Sequence, residues 1–249
     1  MKAMILAAGL GTRLRPWTLS HPKALVPVGG VPMLKRVIDR LVAEGFDYIV
    51  INVHHFSEQI KEFVASHDFG NVRIIISDET DRLLDTGGGL LYATPLLCAD
   101  DAPYLVHNVD ILSNAPLAEL LQRHVEDGND VTLLTSGRTS LRHLVFSPDG
   151  RLAGWHNLST GEMRPSGFMP SPDMHESAFS GIYVISPSVH TDMREYATGT
   201  GDAKFPIMDF FLSYTGEKRI GEVTLDSLDL IDIGKPETLS QADSLFQGK

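Results

Sequence analysis

Short apolar runs alternate with helically spaced segments from Ala3 to Thr135, and this alternation limits the fold more than any other feature. Ala3-Met4-Ile5-Leu6-Ala7, Tyr48-Ile49-Val50-Ile51-Asn52-Val53, residues 72–76, 103–107 and 131–135 read as buried strands. Between the first two, Met33, Leu34, Val37, Ile38, Leu41 and Val42 recur at helical spacing, with Pro32 suited to a first turn and Gly45 to a stop. Residues 56–66, 88–97 and 117–126 predict further helices. Strand and helix in turn predict an α/β fold: a mixed, mostly parallel sheet flanked by helices on both faces. Ligands on such sheets bind at the carboxyl ends of the strands.

The first strand runs directly into Gly9-Leu10-Gly11-Thr12-Arg13-Leu14-Arg15-Pro16, with Pro22-Lys23 following. Glycine lets backbone turn tightly and approach a ligand, and successive N–H groups in such a turn form a concave anion site. Arg13, Arg15 and Lys23 add positive charge, so the stretch suits a polyphosphate. It is not the dinucleotide fingerprint, because Leu14 stands where a third glycine belongs, and no Gly-Lys-Ser/Thr triplet follows. The cations stand out because the 249-residue chain carries 21 basic against 32 acidic side chains, a net charge of −11. That balance argues against a general nucleic-acid or anionic-membrane binder. The single cysteine, Cys98, has no internal disulfide partner, and no apolar stretch approaches the ~20 residues of a membrane span. A cytoplasmic location is the expectation.

Past residue 138 the pattern changes. Residues 144–146 and 152–155, joined by Ser147-Pro148-Asp149-Gly150, predict a hairpin. Residues 159–174, rich in Pro, Gly, Ser and Met, read as a long surface loop. Strands at 179–185, 219–225 and 230–233 and helices at 207–214 and 236–246 complete the chain. The second half reads as a lobe packed on the first, so 1–249 is expected to be a single domain. Asp110, just past a buried strand, stands where an α/β sheet presents its ligand groups and suits Mg²⁺; an aspartate capping the next helix would look the same. Asp85-Thr86-Gly87-Gly88-Gly89 opens a helix, where glycines allow close contact with a base or ribose and N–H groups can donate. A flexible helix start would give the same pattern. The ten histidines form no His-x-His or His-Glu-x-x-His pair that would mark a zinc site.

Residues 6–23 resemble the nucleotidyltransferases that join sugar 1-phosphates to nucleoside triphosphates, matching their signature at Leu6, Ala7, Ala8, Gly9, Gly11, Arg13, Leu14, Pro16, Pro22 and Lys23. Asp232-Ile233-Gly234-Lys235-Pro236 resembles the family's second aspartate pattern, and Phe179-Ser180-Gly181-Ile182 its sugar-side strand. The glycine cluster at 85–89 looks closest to N-acetylmuramic acid 1-phosphate uridylyltransferases, while guanylyltransferases acting on mannose 1-phosphate more often show Gly-Thr-Ala-Gly. The resemblance implies a glycosyltransferase-A-like nucleotidyltransferase fold, with a nucleotide-binding part at about 1–137 and a sugar-binding lobe at about 138–235. It implies that Leu6, Ala8, Gly9, Gly11, Thr12, Arg13, Thr86, Gly87 and Gly88 hold the nucleotide and that Arg13 and Lys23 are catalytic. Asp110 and Asp232 would hold Mg²⁺, and Asn157, Ser180 and Gly181 would meet the sugar. The family's Glu-Lys-Pro segment is missing. The implied substrates are a nucleoside triphosphate and a sugar 1-phosphate, UTP with N-acetylmuramic acid 1-phosphate ahead of GTP with mannose 1-phosphate. A non-catalytic sensor of nucleotide sugars could share the fold, but retention of Arg13, Lys23 and both aspartates argues for an enzyme. No acyltransferase repeats follow the last helix, so a single activity is expected.

Overall fold

The structure is a computed structural model that describes residues 1–234 and 236–246. Strand β1 (Lys2–Leu6) leads into three single-turn 3-10 helices, a small hairpin of β2 (Pro27–Val28) and β3 (Val31–Pro32), and helix α1 (Met33–Ala43). There follow β4 (Tyr48–Val53), α2 (Ser57–Ser66), β5 (Arg73–Asp78), α3 (Asp85–Tyr92) and α4 (Thr94–Leu97). Next come β6 (Tyr104–Asn108), β7 (Ile111–Ser113), α5 (Leu117–Asp127) and β8 (Val131–Ser136). The second half adds β9 (Arg142–Phe146), β10 (Leu152–Asn157), β11 (Glu162–Arg164), β12 (His175–Ile185), α6 (Val189–Thr200) and α7 (Ile207–Ser213). Strands β13 (Ile220–Thr224) and β14 (Leu230–Asp232) precede α8 (Pro236–Phe246).

One ten-stranded sheet runs β11-β10-β9-β12-β6-β1-β4-β5, with β8 also beside β12 and β13 beside β8. β1 is parallel to β4 and β6, and β4 to β5. β12 turns the sheet antiparallel, pairing with β6, β8 and β9. Successive side chains of a strand face opposite ways, and here both faces are apolar. Ala3 and Ile5 join Leu34, Ile38 and Leu41 of α1 in one core. Met4 and Leu6 join Leu90, Met193, Phe210 and Phe211 in the other. The mixed sheet with helices on both faces matches the fold expected from the sequence.

Three local expectations change. The segment 159–174 contains β11, which pairs with β10 from Trp155 opposite Arg164 to Asn157 opposite Glu162. Helix α6 lies where the sequence pattern predicts none, since its sequence is rich in Thr and polar residues and buries only Val189, His190 and Met193. β12 begins at His175, because its polar first residues pair with β9 at the exposed end of the sheet.

Two core histidines carry a pH prediction. His124 Nδ1 and Nε2 lie 2.9 Å from Thr132 Oγ1 and 2.9 Å from Ser186 Oγ. His190 Nδ1 lies 2.7 Å from Thr94 Oγ1, and its Nε2 lies 2.6 Å from the Tyr104 hydroxyl. Burial pulls each imidazole from its ordinary value of 6.5 down to about 4. Below pH ~6.5 the unfolded chain therefore binds more protons than the folded one. This part of the stability is complete above that pH and is lost as pH falls toward 4, by on the order of 2 kcal/mol per histidine at pH 5. Urea midpoints at pH 7 and pH 5 are expected to separate more in the wild type than in His190→Gln. Equal separations would remove the histidines from the acid sensitivity.

Candidate active site

The loop after β1 is held in shape from both sides. Gly11 has φ +60°, and a Cβ there would lie 2.8 Å from Lys23 Cβ and 2.9 Å from Thr18 Cγ2, so glycine is required. Thr18 Oγ1 donates to Gly11 O at 2.9 Å, as does Leu14 N. These contacts place the Lys23 stem directly against the glycine turn. Gly9, by contrast, has nothing within 4 Å of where a Cβ would stand. The loop lines a cavity of about 420 Å³ with Leu6, Ala8, Gly9, Gly11, Thr12, Arg13, Lys23, Thr86 and Asp110 all on its wall.

Beneath the loop lies a polar chain that the sequence pattern does not reveal. Ala7 N donates to Asn52 Oδ1 at 2.7 Å, and Asn52 Nδ2 donates to Glu79 Oε1 at 2.8 Å. Leu84 N donates to Glu79 Oε2 at 3.3 Å. Glu79 is 3% exposed; burial pushes its carboxyl above the usual carboxylate value, against the opposing hydrogen bond from Asn52. An asparagine inside the apolar run Tyr48–Val53, at the strand's carboxyl end, is the available signal.

The glycine cluster of α3 is placed differently from the expectation. Gly87 N and Gly88 N donate to Phe205 O, at 2.9 and 3.2 Å, so they are not free to donate to a base. A Cβ at Gly87 would overlap the Phe205 ring, one at Gly88 the Ala203 carbonyl, and one at Gly89 would stand 2.6 Å from Glu79 Oε1. The glycines are therefore required by close packing, and Gly87 and Gly88 lie behind the cavity wall. Thr86 does reach the cavity, and its Oγ1 accepts from Ile207 N at 2.9 Å, the first residue of α7.

The two aspartates come together through a ladder outside the main sheet. β7 and β14 pair antiparallel, with Asp232 opposite Ile111, and Ile233 N donates to Asp110 O at 2.9 Å. Gly234 N donates to Asp232 Oδ1 at 2.8 Å. A Cβ on Gly234 would lie 2.7 Å from both that oxygen and Arg13 Nη2, so Arg13 and Asp232 flank this glycine. Lys235 lies outside the described residues. Asp110 Oδ2 forms an ion pair with Lys23 Nζ, both side chains being largely buried. Asp110 thus already meets a cation. Among the described residues no group of three or more His, Cys, Asp or Glu is arranged to hold a metal ion by itself. Two carboxylates, with phosphate oxygens and water completing the shell, are a donor set that suits Mg²⁺.

A second cavity, about 890 Å³, adjoins the first through Arg13, Thr86 and Asn108 and reaches Asp232, Arg138, Arg142 and Trp155. The three residues expected at the sugar do not line it. Asn157 Oδ1 accepts from Ser159 N and Oγ, at 3.0 and 2.7 Å, within its own turn. Ser180 is 1% exposed and its Oγ accepts from Ile182 N at 3.1 Å. Gly181 has φ +79°, and a Cβ would lie 2.8 Å from Asn108 Nδ2, so it serves close packing behind Asn108. Arg138, not foreseen, donates from Nη2 to Phe179 O at 2.9 Å while its Nε is buried without a partner. Burial lowers its pKa, and the charge of Asp232 works in the opposite direction.

Cations and N–H groups set among two carboxylates, Lys23 against Asp110 and Arg13 beside Asp232, fit a polyphosphate with a divalent cation. Residues 2–143 match the nucleotidyl transferase family. The chain is 28% identical over 251 residues to the N-acetylmuramate alpha-1-phosphate uridylyltransferase of Caulobacter vibrioides, covering 97% of this chain and 95% of that protein. It is 34% identical over 252 residues to the mannose-1-phosphate guanyltransferase of Yarrowia lipolytica, covering 99% of this chain but 64% of that protein. The crystal structure of HddC from Yersinia pseudotuberculosis shares the fold, with a TM-score of 0.78 over 98% of this chain and 99% of that one at 21% identity. No helix among the described residues is long and apolar enough to cross a membrane. A family match that covers more than half of the chain and runs through the glycine loop, Lys23 and Asp110 makes this protein a member of the nucleotidyl transferase family, one of the sugar-1-phosphate nucleotidyltransferases.

Proposed function

We propose that the protein joins UTP and N-acetylmuramic acid 1-phosphate to give the UDP-sugar and pyrophosphate. The observation that carries this choice is the end-to-end match to the Caulobacter uridylyltransferase, 97% of one chain on 95% of the other. The Asp85-Thr86-Gly87-Gly88-Gly89 form supports it. The guanylyl alternative rests on a relative of higher identity that extends well beyond this chain's length.

In this reading the triphosphate lies in the loop cavity and the sugar in the adjoining one, so residues 1–137 and 138–235 serve the two substrates. A sugar-phosphate oxygen attacks the α-phosphorus; the new P–O bond forms as the bond to the bridging oxygen of pyrophosphate breaks. No covalent enzyme intermediate is required, so the residues act by holding geometry and balancing charge. N–H groups from Gly9 to Thr12, with Arg13, hold the leaving phosphates. Lys23 faces the α-phosphoryl group from beside Asp110. Asp110 and Asp232 would hold Mg²⁺, which when bound neutralises charge shared between the phosphates. Thr86 closes the wall between the two cavities.

The deciding measurement is kcat/KM for UTP and GTP, each with N-acetylmuramic acid 1-phosphate and with mannose 1-phosphate. Discrimination between bases comes from hydrogen bonds that are costly when unmade, and a preference of at least ~10²-fold for UTP is expected. A preference for GTP with mannose 1-phosphate would overturn the substrate assignment.

A further inference from the structure

The second cavity carries more positive charge than its neighbours explain. Among the described residues Asp232 is the only carboxylate on its wall, against Arg13, Arg138 and Arg142. Elsewhere on this acidic chain Arg40, Arg82, Arg123, Arg151 and Arg164 pair with an aspartate or glutamate, while Arg73 lies over the Tyr48 ring and Arg219 donates to Asp127 O. Arg138 and Arg142 form no ion pair among the described residues. Glu176, the acid of the adjoining strand β12, is engaged by His143 Nδ1 at 3.0 Å and His156 Nδ1 at 2.8 Å. What sets the exposed Arg142 and the half-buried Arg138 apart is their cavity, which adjoins the phosphate loop and sets one carboxylate against three arginines, a wall suited to an anion.

Position separates the two arginines. Arg138 is tied to Phe179 O and lies within the electrostatic reach of Asp232, at the end nearer the reacting phosphates. Arg142 begins β9, and its backbone is fixed in two ways. Its N–H donates to Ser140 Oγ at 3.2 Å and its carbonyl accepts from that hydroxyl at 2.9 Å. It also stands opposite Asn157 in the β9–β10 register. Its guanidinium makes no hydrogen bond among the described residues. It lines only the second cavity, whereas Gly9, Gly11 and Lys23 line only the first and Arg13 lines both. A group held by Arg142 therefore belongs to the body of the sugar and not to its phosphate. Leu144 and Trp155, cross-strand partners, supply an apolar wall beside it.

We propose that Arg142 reads a carboxylate carried on the sugar ring, so that this cavity selects acidic sugar 1-phosphates over neutral ones. The inference rests on the substrate reading above, because N-acetylmuramic acid bears a lactyl carboxylate while mannose and N-acetylglucosamine bear none. Arg142 offers two parallel N–H donors to it, and a lysine in its place would offer a point charge without the fork.

The test compares N-acetylmuramic acid 1-phosphate with N-acetylglucosamine 1-phosphate, which lacks only the lactyl ether, in wild type, Arg142→Gln and Arg142→Lys with UTP. Losing a hydrogen-bonded charge partner is expected to lower the ratio of kcat/KM for the two sugars by ~10–100-fold in Arg142→Gln, mostly through KM, with partial recovery in Arg142→Lys. Equal losses for both sugars would mean that Arg142 holds the phosphate, and unchanged ratios that it holds nothing; either overturns the proposal. If the wild type turns over neither sugar with UTP, the uridylyl assignment alone has failed. The carboxylate claim is then read from inhibition of whichever reaction the enzyme does catalyse. The muramic compound must inhibit wild type more strongly than the glucosamine compound and lose that advantage in Arg142→Gln. Equal inhibition of the wild type overturns the claim.

Discussion

Lys23→Ala is expected to lower turnover by ~10²–10³-fold, the usual cost of removing one pre-organised donor to transition-state charge. Arg13→Ala should lose a similar factor. Both cations line the loop cavity, and Lys23 is fixed there by the Gly11 turn against its stem and by its ion pair with Asp110. Neither belongs to the apolar cores on the two sheet faces. The melting midpoint should therefore move by no more than about 2–4 °C. Steady-state rates at saturating substrate, with circular dichroism melts as a control, check both halves of the statement. Near wild-type rates in both variants would remove the loop from the chemistry.

Asp110→Asn and Asp232→Asn should each abolish metal-dependent turnover, and the double variant should be little worse than either alone. Groups that act as a unit lose their whole effect with the first removal. The basis is the β7–β14 ladder, which sets Asp232 opposite Ile111 and ties Ile233 N to Asp110 O. Binding of Mn²⁺ as a probe, in the presence of UTP, gives a readout independent of rate and should weaken in both single variants. Multiplicative losses of rate, with Mn²⁺ binding weakened in only one of them, would leave a single aspartate as ligand.

The parallel centre of the sheet is legible because β1, β4 and β6 are apolar on both faces, and so read as unbroken runs. The loop cations are legible because their residue types and spacing carry the chemistry locally. What escapes depends on partners remote in sequence. Gly87 and Gly88 resemble ligand-contacting glycines, but it is Phe205 and Ala203 that demand the missing Cβ atoms. Asn52 and Glu79 form their chain only once β4 and β5 lie side by side. Asn157 is expected at the sugar only because it falls in the region of the missing family segment, whereas Ser159 two residues on satisfies its side chain. Arg138 and Arg142 follow no motif; they become a feature only when the cavity wall is seen to set a single acid, Asp232, against three arginines.

The ladder of β7 and β14 has three residues a side and belongs to a separate sheet from the ten strands, joined to the cores through Ile111 and Ile233. Cooperative unfolding is governed by the large sheet, and short peripheral elements open at lower free energy. Competence for catalysis is thus expected to fail while the fold persists, with Asp232 leaving Asp110 before the protein melts, which activity and circular dichroism followed through one heating scan would separate. Heat inactivation on this account is reversible at first, a local fraying that cooling undoes.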